Sequence, residues 1–264
     1  MSMVLVNDIC EALEQIAPSA LSEEFDNTGL LVGDPSRIVD HVLVCHDAIE
    51  AVIDEAIALN ASMIVCFHPI LFKGLKTITP EDYVSRSILK AIEHKISIYA
   101  LHTRFDKVIG GVSDLMAEAL NLSEVQVLVP EEDQTGFGRI GKLPEALTAT
   151  DFLALIAKTF ETPMVRHSEL TEKSILRVAV LGGSGAFAIQ NAKALGADAY
   201  ISADFKYHDF FQGEANFLLA DVGHYESERF TKNAIAQKLR EKFPNFAVTL
   251  SEIKTNPVKY YTYG

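Results

Sequence analysis

The hydrophobic positions of this chain fall into two kinds of segment that alternate along its length. Short apolar runs rich in β-branched residues predict buried strands, and the stretches between them have the spacing of amphipathic helices. This alternation is typical of an α/β protein built on parallel sheets. The predicted strands that bear on function are 42–45, 63–67, 96–101, 178–181, 199–202 and 218–222.

Three of the predicted strands lead into a histidine. His68 and His102 follow strands directly, and His224 follows one after Gly223. Ligands of open α/β sheets bind at the carboxyl ends of the strands, so each histidine is a candidate site residue. A single histidine in such a place can equally be a hydrogen-bonded structural residue, and that alternative stays open for each one taken alone.

His224 and Glu228 lie four residues apart at the start of a helix predicted from Tyr225 onward. Residues at this spacing share one helix face, so the imidazole and the carboxylate can reach one atom. Nitrogen and carboxylate oxygen together suit a divalent cation. The alternative is an exposed pair joined by a surface salt link. His102 and Asp106 repeat the spacing at another strand end.

An internal repeat relates the two halves of the chain. A shift of 136 positions (178 − 42) places Val42 on Val178 and His68 on Asp204. A shift of 122 positions (224 − 102) superimposes the two histidine–acid pairs. The repeat indicates two related α/β lobes. If the lobes face each other, their histidines and carboxylates converge, and such a cluster is costly unless a cation neutralises it.

The loop-like stretch 129–141, acidic and then glycine-rich, marks the predicted domain boundary. It separates an N-terminal lobe, 1–128, from a C-terminal lobe, 142–264, whose last strand could return to the first lobe. A second glycine-rich stretch, Gly182–Gly185, does not complete the dinucleotide-binding pattern because Ala188 occupies the last position. We therefore predict a tight strand-to-helix turn there and no dinucleotide cofactor.

Composition narrows the candidate functions. The chain has 264 residues, of which 48% are hydrophobic, enough for a large core. Its formal net charge of -13 disfavours a nucleic-acid partner. No apolar run approaches the roughly 18 residues of a membrane span. The three cysteines form no C-x-x-C pair, and no signal segment is evident, so we expect a cytoplasmic location without membrane association.

Over nearly its whole length the chain resembles the GTP cyclohydrolase 1 type 2 family, also called the NIF-three-like dinuclear-metal hexameric proteins. The motifs that carry the resemblance are Phe25–Pro35, His68-Pro69, His102-Thr103 with Asp106, Gly110–Val112, Gly182–Gly185 and Asp221–Glu228. The resemblance implies an α/β fold of two interlinked, similar three-layer domains with a metal site in the cleft between them. It also implies a homohexamer.

By position, the resemblance implies that His68, Asp106, His224 and Glu228 are metal ligands. His102 would be a general acid or base, or a further ligand. Mixed nitrogen and oxygen ligands admit Zn, Mn, Fe or Ni, with one or two ions per chain. The implied activity is metal-dependent hydrolysis of a nucleotide or other anionic small molecule. The alternative is a non-catalytic, metal-stabilised ring that acts as a scaffold or binding protein.

Two positions depart from the family pattern. Phe67 stands where the family has the first histidine of His-His-Pro, so the chain lacks one expected ligand and we expect a weaker second metal site. Arg104 stands where the family has asparagine, and we expect this change to alter what the cleft accepts.

Overall fold

The computed structural model describes residues 3–131, 134–214 and 216–261, and these residues form two compact units. Unit 1 takes the described residues within Met1–Phe105 and Thr231–Pro257, and unit 2 takes those within Asp106–Phe230 and Val258–Gly264. Each unit contains one mixed β-sheet, which confirms the predicted α/β class. No helix among the described residues is both long and apolar enough to cross a membrane.

Unit 1 is built on a five-stranded sheet with the order β1-β4-β3-β2-β11. Its strands are β1 (Gly29–Val32), β2 (His41–Asp47), β3 (Met63–His68), β4 (Ser97–Ala100) and β11 (Ala247–Leu250). The four neighbouring strands β4, β3, β2 and β11 run parallel to one another, whereas β1 is antiparallel to β4. The chain therefore returns from unit 2 to place its last strand beside β2.

Helices cover both faces of this sheet. They are α1 (Val6–Ile16), α2 (Glu50–Ala58), α3 (Tyr83–Glu93) and α9 (Thr231–Lys242), with the short α4 (Thr103–Lys107) at the division between the units. The apolar sides of α2 and α3 pack on one face through a core that includes Leu43, Ile64 and Ile98. On the other side α9 contacts β2 and β3, and α1 packs on α9.

Unit 2 has a six-stranded sheet with the order β5-β6-β8-β9-β10-β7. Its strands are β5 (Ser123–Pro130), β6 (Gly136–Leu147), β7 (Arg166–His167), β8 (Ile175–Ser184), β9 (Ala199–Ala203) and β10 (Leu218–Asp221). Its helices are α5 (Val112–Ala119), α6 (Ala149–Phe160), α7 (Ile189–Ala194) and α8 (His224–Glu228). Side chains of α5 and α6 pack on one face, and those of α7 pack on the other.

The strand orders confirm the internal repeat. The series β1-β4-β3-β2 in unit 1 corresponds to β7-β10-β9-β8 in unit 2, with the first strand antiparallel in each case. The second predicted shift is wrong by one residue. Met63 and Ala199 are equivalent under the first shift. Ser97 pairs with Met63 and Leu218 pairs with Ala199, so Ser97 and Leu218 are equivalent as well. The equivalent of His224 is therefore Thr103, one residue after His102.

Two sequence expectations need correction. The predicted linker 129–141 falls largely within the hairpin of β5 and β6, apart from residues 132 and 133, which lie outside the described residues. The helix expected from Tyr225 is two helices, because α8 ends at Glu228 before α9 begins.

A buried carboxylate in unit 2 makes stability depend on pH. Asp198 accepts hydrogen bonds from Lys173 and from the backbone N–H groups of Leu176 and Arg177. Burial alone would raise the pKa of Asp198, but these donors outweigh it and lower the pKa. The carboxylate therefore adds stability above its unfolded-state pKa of about 3.9, and this contribution is lost as pH falls through the lower folded-state pKa.

We expect Asp198→Asn to lower the free energy of unfolding by about 1.5–3 kcal/mol at pH 7, since the charged acceptor is lost. Urea denaturation of both proteins from pH 7 downward should show the difference shrinking in acid. Asp54→Asn, at an exposed pair with Lys90, is the control and should change little. A difference that is constant down to the acid transition would contradict this role of Asp198.

Candidate metal centre

In unit 1, the parallel pairing of β2 and β3 positions the first candidate ligand. Asp47 pairs with His68 at the ends of the two strands, and Asp47 Oδ1 lies 2.8 Å from His68 Nδ1. Thr255 donates to the other oxygen of Asp47. A histidine whose Nδ1 donates to a carboxylate presents Nε2 for coordination, so this is the arrangement that commonly supports a metal ligand.

His46, which the sequence analysis did not select, lies beside this pair. It is 3% exposed at the end of β2. Its ring centroid is 4.8 Å from that of His68, and candidate donor atoms of the two rings lie within 4.8 Å of each other. The predicted strand ends at residue 45, two residues before the observed end at Asp47. A polar residue inside the observed strand, in line with Val42 and Val44, was the available signal.

His102 forms a second carboxylate–imidazole contact in unit 1. Its Nδ1 lies 2.7 Å from Asp26 Oδ1, and Thr103 donates to Asp26 Oδ2 through both its backbone N–H, at 3.2 Å, and its hydroxyl, at 2.5 Å. Burial alone would raise the pKa of Asp26, but the hydrogen bonds from His102 and Thr103 outweigh it and lower the pKa. Asp26 is thus a negatively charged acceptor that orients His102.

Unit 2 brings together His224, Glu228 and Asp204. His224 begins α8, its Nδ1 lies 2.7 Å from Asp204 Oδ2, and its Nε2 lies 3.3 Å from Glu228 Oε1. The Glu228 side chain is only 4% exposed, which excludes the alternative of a fully solvated surface pair. Ser184 also donates to Asp204. Asp204 stands at the position that the internal repeat matches with His68, and that repeat was the signal for it.

Electrostatics in this cluster favour positive charge at the imidazole. Burial would lower the pKa of His224, but the carboxylates of Glu228 and Asp204 outweigh it and raise the pKa to about 11. The hydrogen bond from His224 lowers the pKa of Asp204 against the opposing effect of burial. The two carboxylates around one imidazole therefore favour a positive charge at this position, either a proton on the imidazole or a bound cation.

The glycine-rich turn forms a cradle for Glu228. Gly183 has φ +68°, and a Cβ added there would lie 2.4 Å from Glu228 Oε1. Its backbone N–H donates to Ser227 Oγ at 2.9 Å, and its carbonyl accepts from Ser202 Oγ at 3.0 Å. The carboxylate of Glu228 can therefore occupy its observed position only because Gly183 has no side chain. The predicted tight turn thus positions Glu228.

The remaining selected residues have different surroundings. Asp106 is half-buried in α4 and belongs to unit 2. Arg104 is 1% exposed, and its guanidinium donates to Ala17 O, to the Tyr99 hydroxyl and to Glu14. The Arg104 side chain is thus directed into unit 1, which argues against the expectation that it alters what the site accepts.

The two mixed sheets and their histidine–carboxylate clusters define a two-unit α/β protein with candidate metal ligands in each unit. The family model for Duf34/NIF3 (NGG1p interacting factor 3) matches residues 4–257, and the chain belongs to this family. A Clostridium perfringens relative named GTP cyclohydrolase 1 type 2 homolog is 34% identical over 242 residues, which cover 90% of this chain and 92% of the relative.

Solved structures agree with the family assignment. A Bacillus cereus protein related to NIF3 has a TM-score of 0.93 at 25% identity, with 99% of this chain and 100% of that chain covered. A Staphylococcus aureus protein has a TM-score of 0.91 at 27% identity, covering 98% and 99% of the two chains. The family resemblance and the fold predicted from the sequence are thus confirmed.

Proposed function

We propose that this chain is a metal-dependent hydrolase-like protein that holds one or two divalent cations. The observation that carries the proposal is the same arrangement in both units: Asp47 holds Nδ1 of His68, and Asp204 holds Nδ1 of His224. Carboxylates that orient imidazoles in this way are the usual outer partners of metal-ligating histidines.

Each unit supplies proposed ligands. His68, His224 and Glu228 are carried over from the sequence, and Asp106 stays a candidate by position. His46 joins the set because a donor atom of its ring lies within 4.8 Å of a donor atom of His68 in the same unit. Imidazole nitrogen with carboxylate oxygen fits Zn, Mn, Fe or Ni and suits an oxygen-seeking ion such as Ca²⁺ poorly.

A divalent cation held by such residues supplies Lewis-acid catalysis and makes a water molecule acidic near neutral pH. The chain itself supplies proton transfer. Because Asp26 accepts from Nδ1 of His102, the neutral ring carries its lone pair on Nε2, the atom that would take a proton from water or return one to a leaving group. Thr103 fixes Asp26 and so keeps this ring oriented.

For the substrate we propose a nucleotide or another anionic small molecule, with support from the name of the Clostridium perfringens relative, GTP cyclohydrolase 1 type 2 homolog. If the substrate is GTP, the reaction is hydrolytic opening of the imidazole ring of the purine. Lys73 and Lys76 lie exposed in the loop after β3 and could meet an anion. The second candidate function, a metal-stabilised ring without catalysis, retains the same ligands.

We expect His224→Ala and Glu228→Gln each to weaken metal binding at least tenfold. Loss of a residue that hydrogen-bonds to a ligand already costs roughly 10–100-fold in affinity, and loss of the ligand itself should cost at least the lower of these values. Elemental analysis and calorimetric titration with Mn²⁺ and Zn²⁺ measure this. His208→Ala, at an exposed histidine of unit 2, is the matched control and should bind as wild type does. Unchanged metal content in both site variants would refute the proposed centre.

Turnover separates the two candidate functions. Hydrolysis of nucleotides by metal-loaded wild type, lost in His224→Ala and kept in His208→Ala, supports the enzyme. Metal binding without turnover of any nucleotide tested favours the scaffold.

The homohexamer implied by the family resemblance is a separate prediction. Multi-angle light scattering should give a mass near six chains, and a monomer mass at all concentrations would contradict it.

A further inference from the structure

Phe67 occupies the position at which the family resemblance predicts a ligating imidazole, and the strand register identifies its neighbour. Cys45 pairs with Cys66 and Asp47 pairs with His68 in the parallel ladder of β2 and β3. His46 and Phe67 are therefore side by side on one face of the sheet, and their ring centroids are 5.3 Å apart. His46 on β2 is thus the counterpart of the imidazole that β3 lacks at position 67.

His46 is buried among apolar side chains, where an imidazole has a cost in free energy that a functional role would explain. The residues two positions earlier on the same face, Val44 and Val65, are fully buried, and His46 itself is 3% exposed. A buried polar ring costs free energy that hydrogen bonding or metal coordination must offset. An apolar side chain would fill this position without that cost.

The geometry also suits shared coordination with His68. Two imidazole nitrogens that each bind one ion at about 2.1 Å lie at most about 4.2 Å apart. Candidate donor atoms of His46 and His68 lie within 4.8 Å, so only a small adjustment separates them from this spacing. Their rings are nearly perpendicular, at 80°, so the two nitrogens can approach one point without stacking of the rings.

We infer that His46 is a metal ligand of this chain and replaces the imidazole that Phe67 removes from β3. The inference rests on the proposed metal-dependent function and deepens it, because it assigns the missing ligand. Phe67 then has a packing role: its ring lies against His46 and, at 5.9 Å between centroids, against His102. The chain thus keeps its number of imidazole ligands, and Phe67 does not by itself weaken the second metal position.

The test uses Co²⁺ as the probe on the full chain after removal of metal with a chelator. Four proteins are compared: wild type, His46→Leu, Phe67→His and the exchange variant His46→Leu/Phe67→His. His94→Leu, at an exposed histidine after α3, is the control for loss of a histidine elsewhere. Calorimetry gives affinity and stoichiometry, and proton NMR of the Co²⁺ protein counts the shifted imidazole N–H signals.

We expect His46→Leu to bind Co²⁺ at least tenfold more weakly than wild type and to lose one shifted imidazole signal. The exchange variant should recover most of the affinity and the signal, whereas Phe67→His alone should gain little. His94→Leu should match wild type. Recovery in the exchange variant also shows that the loss in His46→Leu is not a failure to fold.

Three outcomes overturn the inference, and they are distinguishable. If wild type binds Co²⁺ tightly and His46→Leu matches it in affinity and signals, His46 is not a ligand although the metal centre stands. If wild type does not bind Co²⁺, Mn²⁺ or Zn²⁺, the proposed function fails as well. A tighter second site in Phe67→His with His46 intact would likewise show that His46 does not replace the missing imidazole.

Discussion

Gly183→Ala should weaken metal binding about tenfold, although it adds only one methyl group. The new Cβ would lie 2.4 Å from Glu228 Oε1 and 3.4 Å from His224 Nε2. The carboxylate end of Glu228 is the flexible partner, so it has to move away from the imidazole with which it pairs. We therefore expect about a tenfold loss of affinity for Mn²⁺ or Zn²⁺ by calorimetry.

Backbone strain alone would also lower stability, so a matched control is needed. Gly196 has φ +71°, close to the +68° of Gly183, but a Cβ there would meet nothing within 4 Å. Gly196→Ala should therefore lose about 1–2 kcal/mol of folding free energy from the left-handed backbone and bind metal normally. Equal metal affinities in the two variants would show that the cradle does not position Glu228.

Much of the site could be predicted because strand ends are local features. The apolar runs before His68, His102 and His224 are short and bounded, and parallel strands present their carboxyl ends at one edge of a sheet. The hydrogen bonds of His68 to Asp47 and of His224 to Asp204 are consistent with candidate site roles for those histidines. The repeat added Asp204 as the counterpart of His68, and the strand orders confirm that repeat.

What could not be predicted depends on register and on contacts distant in sequence. The proximity of His46 to His68 follows from the pairing of β2 with β3, which no spacing within one segment reveals. The bond between Asp26 and His102 spans 76 positions. The acidic and glycine-rich residues of the β5–β6 hairpin predict a linker because they outweigh its weak strand pattern. In each case strand pairing or a contact distant in sequence determined the structure, and the local sequence propensity did not reveal it.

Arg104→Asn restores the residue type implied by the family resemblance, and we expect it to destabilise the protein instead of changing its substrate. Arg104 is 1% exposed and donates to Ala17 O, to the Tyr99 hydroxyl and to Glu14. Asparagine is too short to reach all three, so buried acceptors lose their donor and a cavity remains. Ala17 O and the Tyr99 hydroxyl are the buried acceptors, and leaving each without a donor costs about 1–3 kcal/mol.

A loss of this size is a large fraction of the roughly 5–15 kcal/mol that stabilises a typical domain, so urea or thermal unfolding will detect it readily. The control is Arg86→Asn, which breaks a partly exposed pair with Glu50 and should cost less than about 1 kcal/mol. Metal affinity of the folded Arg104→Asn protein should equal that of wild type, because the groups that the guanidinium bonds to, those of Ala17, Tyr99 and Glu14, all belong to unit 1 and none is a proposed ligand. Unchanged stability with an altered range of substrates would instead assign Arg104 to recognition.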